Sequence, residues 1–214
     1  MAEKTAVVVT SISAPNRVLQ ALAQGSIEQE IPFIVIGDAI SPPDFDLKGC
    51  QFYSIQKQLE SGLEFAIACP QRKYSRKNIG YLIAAQQGAS IIVETDDDNL
   101  PYESFWKSRQ RHQSVPCVKE TGWLNAYRYF SEALIWPRGL PLDAVNDSIP
   151  DFETLTAESI DCPIQQGLAD DNPDVDAIYR LLLPLPQKFR GDRRLALGTN
   201  AWCPFNSQNT SWWK

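Results

Sequence analysis

Three consecutive carboxylates stand out in the string Glu94-Thr95-Asp96-Asp97-Asp98-Asn99, because they follow an apolar run and repel one another unless a cation or a set of donors neutralises them. On extended chain the side chains alternate, so Asp96 and Asp98 face the same way and can share a hard, oxygen-liking ion such as Mg²⁺ or Mn²⁺, while Asp97 points elsewhere. Such an ion keeps positions open for phosphate oxygens. The plainer reading, a solvated acidic turn or helix N-cap, stands beside it. Upstream, Tyr74-Ser75-Arg76-Lys77-Asn78-Ile79-Gly80-Tyr81 opens a helix with two cations and an amide in a first turn that favours acids. Phosphate is a natural partner for Arg76, Lys77 and Asn78, and Gly80 permits close approach of a backbone to it. An exposed basic turn pairing with surface acids is the alternative.

The elements that must position these residues follow from periodicity. Ala6–Thr10 is a β-branched run closed by Ser11, Ser13, Pro15 and Asn16, the pattern of a buried parallel strand. Val18, Leu19, Leu22 and Ala23 give one apolar helix face, with Gly25 as the expected stop. Phe33–Ile36 repeats the buried strand and ends at Gly37-Asp38. A helix from Ser75 to Gly88 leads into the strand Ser90–Thr95. This alternation predicts an α/β fold with an open, mostly parallel sheet flanked by helices, whose ligands sit at the carboxyl ends of the strands. Thr10, Asp38 and Asp96 then share one edge. From about residue 113 prolines recur and the pattern breaks into short strands and loops, expected to cover the site rather than to form a domain of their own. One domain over 1–214 is expected, with a nucleotide-binding half 1–112 and a less regular half 113–214.

Composition narrows the classes further. Of 214 residues 43% are hydrophobic, enough for a sizeable core, and the formal charge of −6 argues against nucleic acid as a partner while leaving room for a local basic pocket. The five cysteines are scattered and never form a C-x-x-C pair, which fits a reduced, cytoplasmic setting. No signal-peptide pattern and no apolar run of membrane-spanning length is found. His112 is the only histidine and lies in a polar stretch, so a Ser-His-Asp hydrolase is disfavoured. An EF-hand loop counted from Asp96 meets Pro101 and Lys107 where it needs Gly and Glu, and a dehalogenase-type phosphatase motif meets Leu100 where it needs Thr. Among the tryptophans, Trp202 beside Gly198-Thr199-Asn200 is the one chosen to stack on a sugar or base. Ser207, Gln208 and Asn209 offer sugar-binding donors or caps for the final turn.

The blocks Asn78-Ile79-Gly80-Tyr81, Glu94–Asn99, Trp136-Pro137-Arg138-Gly139-Leu140-Pro141 and Gly198–Thr210, in this order, resemble the STELLO family. More distantly they are similar to the reversibly glycosylated polypeptides, which are UDP-arabinopyranose mutases. The strand ends and the Asp triplet resemble the nucleotide-sugar half of GT-A glycosyltransferases. The resemblance implies a GT-A-like fold and a UDP-sugar donor, with Asp96, Asp97 and Asp98 holding metal and diphosphate. It implies Thr10, Ser11 and Asn16 for uracil and ribose, with Asp38 after the second strand. Arg138 falls on the sugar-linked arginine of the mutases, but their second arginine is Val145 here and their histidine is Gln166, which speaks against mutase chemistry. The family continues past Asn206–Thr210 to an acidic residue near the acceptor, whereas this chain ends at Lys214, as a shortened version or a piece of the fold. The expected function is a metal-dependent glycosyltransferase acting on a glycan, lipid or protein acceptor. In it Arg76 or Lys77 assists the leaving diphosphate, and Asp174 or Asp176 is the only catalytic base within reach of this reading. A non-catalytic nucleotide-sugar binder and a metal-dependent phosphohydrolase are the alternatives.

Overall fold

Uninterrupted runs of Val, Ile and Phe become strands here because they are covered on both faces. The computed structural model describes residues 3–214. In chain order the elements are β1 (Thr5–Thr10), α1 (Arg17–Glu28), β2 (Phe33–Ile36), β3 (Gln51–Tyr53), α2 (Ile55–Leu59), α3 (Glu64–Ala68), α4 (Lys77–Gln86) and β4 (Ile91–Thr95). They continue with β5 (His112–Val118), β6 (Gly122–Trp123), β7 (Ala157–Asp161), β8 (Ile164–Gln166), α5 (Ala177–Leu182), β9 (Ala196–Leu197), β10 (Ala201–Trp202) and β11 (Asn209–Trp213). The chain divides into two compact units, one running to Arg109 and including Ser207–Lys214, the other Gln110–Asn206.

In the first unit the strand order is β3-β2-β1-β4-β11. The first four are parallel, and β11 runs antiparallel to β4 with Asn209 opposite Thr95 and Trp213 opposite Ile91. The sheet is therefore mixed, and the molecule α/β with helices on both sheet faces. Alternate residues explain the layers: Ala6, Val8, Ile34 and Ile36 pack with Ile79, Ile83 and Ala84 of α4. Val7, Val9, Phe33 and Val35 pack with Leu19, Leu22 and Ala23 of α1 on the other side.

Two glycine expectations are corrected. Gly25 does not stop α1, which continues to Glu28. It is buried inside the helix, where a Cβ would lie 2.1 Å from the Trp106 ring, so the missing side chain makes room for an indole. Gly80 likewise serves packing and not phosphate: a Cβ there would lie 2.5 Å from Val8 Cγ1, so it sets how closely α4 approaches the sheet.

The second unit is irregular as expected, with β5 pairing β7 antiparallel and β9 parallel, and a two-stranded parallel pair β6 and β10. It nevertheless has hydrophobic clusters of its own, the largest around Tyr127, Ile135, Trp136, Val145, Val175 and Tyr179. No described helix is long and apolar enough to cross a membrane.

Candidate functional site

The carboxyl ends of β1, β2 and β4 form one edge of the first unit, and short polar residues there tie the strand ends together. Ser41 Oγ donates to the Ser11 carbonyl at 2.9 Å and accepts from the Asp38 N–H at 2.8 Å. The Asp38 carboxylate is spent on backbone, accepting from the N–H groups of Ala39 and Arg72 at 2.6 and 2.7 Å. Asn16 caps α1 by accepting from the Leu19 N–H, and its Nδ2 donates to the Asp97 carbonyl at 2.9 Å. Ser11 Oγ donates to Asp97 Oδ2 at 2.5 Å. Thr10, Ser11, Asn16, Asp38 and the Asp triplet are thus brought to one edge, as the strand pattern predicts.

The three aspartates have three different environments. The extended conformation ends at Thr95, and Asp97 and Asp98 lie in a turn, so the two-residue alternation expected to align Asp96 with Asp98 does not extend to them. Asp96 Oδ1 meets Lys77 Nζ at 2.9 Å. The lysine side chain is 6% exposed and that of Asp96 40%, so a buried cation faces a half-open carboxylate. Asp97 is held by Ser11. Asp98 is exposed, and partial desolvation followed by the charges of Asp96 and Asp97 pushes its carboxyl above the ordinary range, with Lys77 pulling back. Among the described residues no group of three or more His, Cys, Asp or Glu side chains is gathered as a ready-made metal cage.

The two cations of the helix start divide their roles. Arg76 is 2% exposed; its guanidinium donates from Nε and Nη2 to Gln58 Oε1 and from Nη1 to the Cys69 carbonyl. It is a structural staple, which corrects its expected role at phosphate. Lys77 is the cation that reaches the acidic cluster, and its Nζ also donates to the Ser207 carbonyl at 3.1 Å. Asn78 is exposed on the first turn of α4.

Sequence reasoning passed over Glu94 as a site residue. It is 3% exposed on β4 and accepts a hydrogen bond from the Tyr81 hydroxyl. Burial pushes its carboxyl from 4.5 to about 7, against the pull of Lys77 and with a smaller push from Asp96. The signal was an acid inside an apolar strand, a position that demands a partner.

The remaining expected residues belong to the second unit. Arg138 Nε pairs with Asp174 Oδ1 at 2.6 Å, and its N–H donates to the Asp174 carbonyl at 3.1 Å. Asp176 is the N-cap of α5, accepting from the Tyr179 N–H at 2.8 Å, while its other oxygen accepts from Trp136 Nε1 at 2.5 Å. Both oxygens are committed to the fold, which corrects its expected role as a base. Trp202 stands 50% exposed beside Trp123 at 45%.

Fold and edge together define an α/β protein with an acidic cluster, counter-charged by one buried lysine, at the carboxyl ends of the parallel strands of a mixed sheet. No family model matches the chain. It is 31% identical over 201 residues to the probable glycosyltransferase STELLO2 of Arabidopsis thaliana, covering 83% of this chain and 26% of that protein. To the probable glycosyltransferase STELLO1 of the same plant it is 32% identical over 164 residues, 68% of this chain and 21% of that protein. The chain belongs to the STELLO-type family and spans about a quarter of the length of these relatives.

Proposed function

We propose that the chain acts as a metal-dependent glycosyltransferase with a nucleoside-diphosphate sugar, a UDP-sugar, as donor and a glycan, lipid or protein as acceptor. The observation that carries this reading is the acidic turn after β4 set against Lys77. Of the three aspartates there Lys77 pairs with Asp96, and burial and the neighbouring carboxylates disfavour the charged form of Asp98. That donor set fits a divalent ion: the oxygens are hard, the negative charge is in excess, and two carboxylates leave further positions for diphosphate and water. Asp96 and Asp98 would hold Mn²⁺ or Mg²⁺, which when bound neutralises charge developing on a leaving diphosphate. Lys77 contributes a second, fixed positive charge at the same edge, already desolvated and so strong in its effect. Ser11 and Asn16 brace Asp97, and with Thr10, Asp38 and Asn78 they line the edge where a nucleoside would lie. The unpaired cysteines suit the cytoplasmic setting that the sequence suggests.

A second reading, a nucleotide-sugar binder that does not transfer, is favoured by the engagement of both expected bases, Asp176 by the α5 cap and Asp174 by Arg138. Calorimetry with UDP, with and without manganese, tests the shared part. Binding is expected to require the metal and to vanish in Asp98→Ala, whose exposed side chain leaves the fold intact; unchanged affinity in that variant sinks both readings. UDP release from UDP-sugars then separates transferase from binder.

A further inference from the structure

In the second unit, β6 and β10 pair in register so that Trp123 stands directly opposite Trp202. Their rings meet edge to face with centroids 5.8 Å apart. A pair serving only packing would be covered, but these indoles are 45% and 50% exposed. Their neighbours on the same strands explain the outward aim: Ala201 and Leu124 point into the hydrophobic cluster around Val118 and Tyr129, so the alternate positions face out. Neither indole N–H has a hydrogen-bond partner among the described residues.

The segment leading into β10 is polar and rigidly held. The Gly198 N–H donates to the Val118 carbonyl at 2.8 Å, the Gly122 N–H to the Asn200 carbonyl at 2.8 Å, and the Leu124 N–H to the Trp202 carbonyl at 2.9 Å. Thr199 and Asn200 are exposed on this pinned turn and line a cleft of about 260 Å³ together with Lys119 and Glu158. Lys119 Nζ and Glu158 Oε1 are 2.5 Å apart, and Glu120 accepts from the Lys119 N–H, so the cleft offers donors and acceptors with one negative charge in excess.

We propose that the Trp123–Trp202 pair and the adjoining Thr199-Asn200 turn form a binding platform for a neutral oligosaccharide, one sugar ring stacking on the indoles and hydroxyls of the chain bonding to Thr199 and Asn200. Aromatic faces, unspent N–H donors, amide and hydroxyl groups and the lack of any excess positive charge match a polyhydroxylated ring and match neither phosphate nor a carboxylated sugar. The overall charge of −6 disfavours an anionic bilayer as occupant. The ordered turn keeps the entropic cost of binding low. This platform stands on the second unit alone and does not depend on the donor site proposed above.

The test is titration of the whole chain with short neutral glucan, xylan, mannan and galactan oligosaccharides, without nucleotide or metal, read by tryptophan fluorescence and calorimetry. Saturable binding is expected for at least one of them. Trp202→Ala and Trp123→Ala should each weaken it about tenfold or more at unchanged melting temperature, with Trp202→Phe intermediate, since stacking survives and the N–H is lost. No saturation by any of these sugars at millimolar concentration overturns the proposal, as does binding that both alanine variants leave unchanged. Metal-dependent UDP binding, measured on the unaltered chain and on Trp123→Ala, should be the same; its absence from the unaltered chain, with oligosaccharide binding present, would count against the donor reading and not against this one.

Discussion

Adjacent residues of like charge are separated here by where their side chains end. Arg76 and Lys77 both open the α4 segment, yet the first is enclosed by Gln58 and Cys69 and the second reaches Asp96. Replacing Arg76 by Lys keeps the charge and loses the fork that satisfies Gln58 Oε1, so stability should fall by about 2 kcal/mol while UDP affinity in the folded protein stays the same. Lys77→Met should do the reverse in kind, weakening metal-dependent UDP binding about tenfold with a smaller loss of stability, because Asp96 remains half-open to water. Chemical denaturation and calorimetry on the two variants check both halves. Glu94 gives a pH signature. Its folded carboxyl titrates at about 7 against an ordinary 4.5, so between those values the folded state holds a proton that the unfolded chain has released. Its stabilising effect is therefore complete below about 4.5 and is lost as pH rises through about 7, by on the order of 3 kcal/mol. Denaturation in metal-free buffer across that window should show the slope, and Glu94→Gln should flatten it.

Whole elements meet at close range in the first unit, and Gly80 shows what that requires. An alanine there would favour the helix by about 1 kcal/mol but force its methyl against Val8 and Ile36, an overpacking that costs about 1–3 kcal/mol. The net effect on Gly80→Ala should be a lower melting temperature, measured by calorimetric scanning, and a rise would show that α4 can move off the sheet. Such glycines were visible in the sequence, but their reason was not, since Val8 lies far from Gly80 along the chain. Legibility followed locality throughout. β1, β2 and β4 declare themselves because strands buried on both faces must be continuous apolar runs, whereas the cap that Asn16 gives α1 was not read from the sequence. β3 is a three-residue edge strand with no fully buried position, and it exists only because β2 offers it a partner. The acidic edge was legible as residue types. The facing of Asp96 and Asp98 was not, because it depends on the chain leaving the strand at Thr95.

On the scale of the molecule, the chain leaves its first unit after Arg109 and returns at Ser207 to complete it. The returning strand is more than an edge. It pairs with β4 along its full length, and its two tryptophans go to opposite sides, Trp212 to the α4 layer against Tyr81 and Trp213 to the α1 layer. Both rings are partly buried, so truncating either costs less than the about 3–5 kcal/mol of a core aromatic, but losing both takes a large share of the about 5–15 kcal/mol that a whole domain has. Their loss would also bare β4, whose five residues are all buried, as an apolar edge that invites aggregation. A fragment ending at Arg109 should accordingly be insoluble or lack a cooperative denaturation transition. The same fragment with residues 207–214 joined through a flexible glycine-serine linker should regain that transition, along with metal-dependent UDP binding, since Lys77 recovers the Ser207 carbonyl that helps hold its amine beside Asp96. Cooperative unfolding of the shorter fragment by itself would show that the parallel strands suffice and that the return of the chain serves another end.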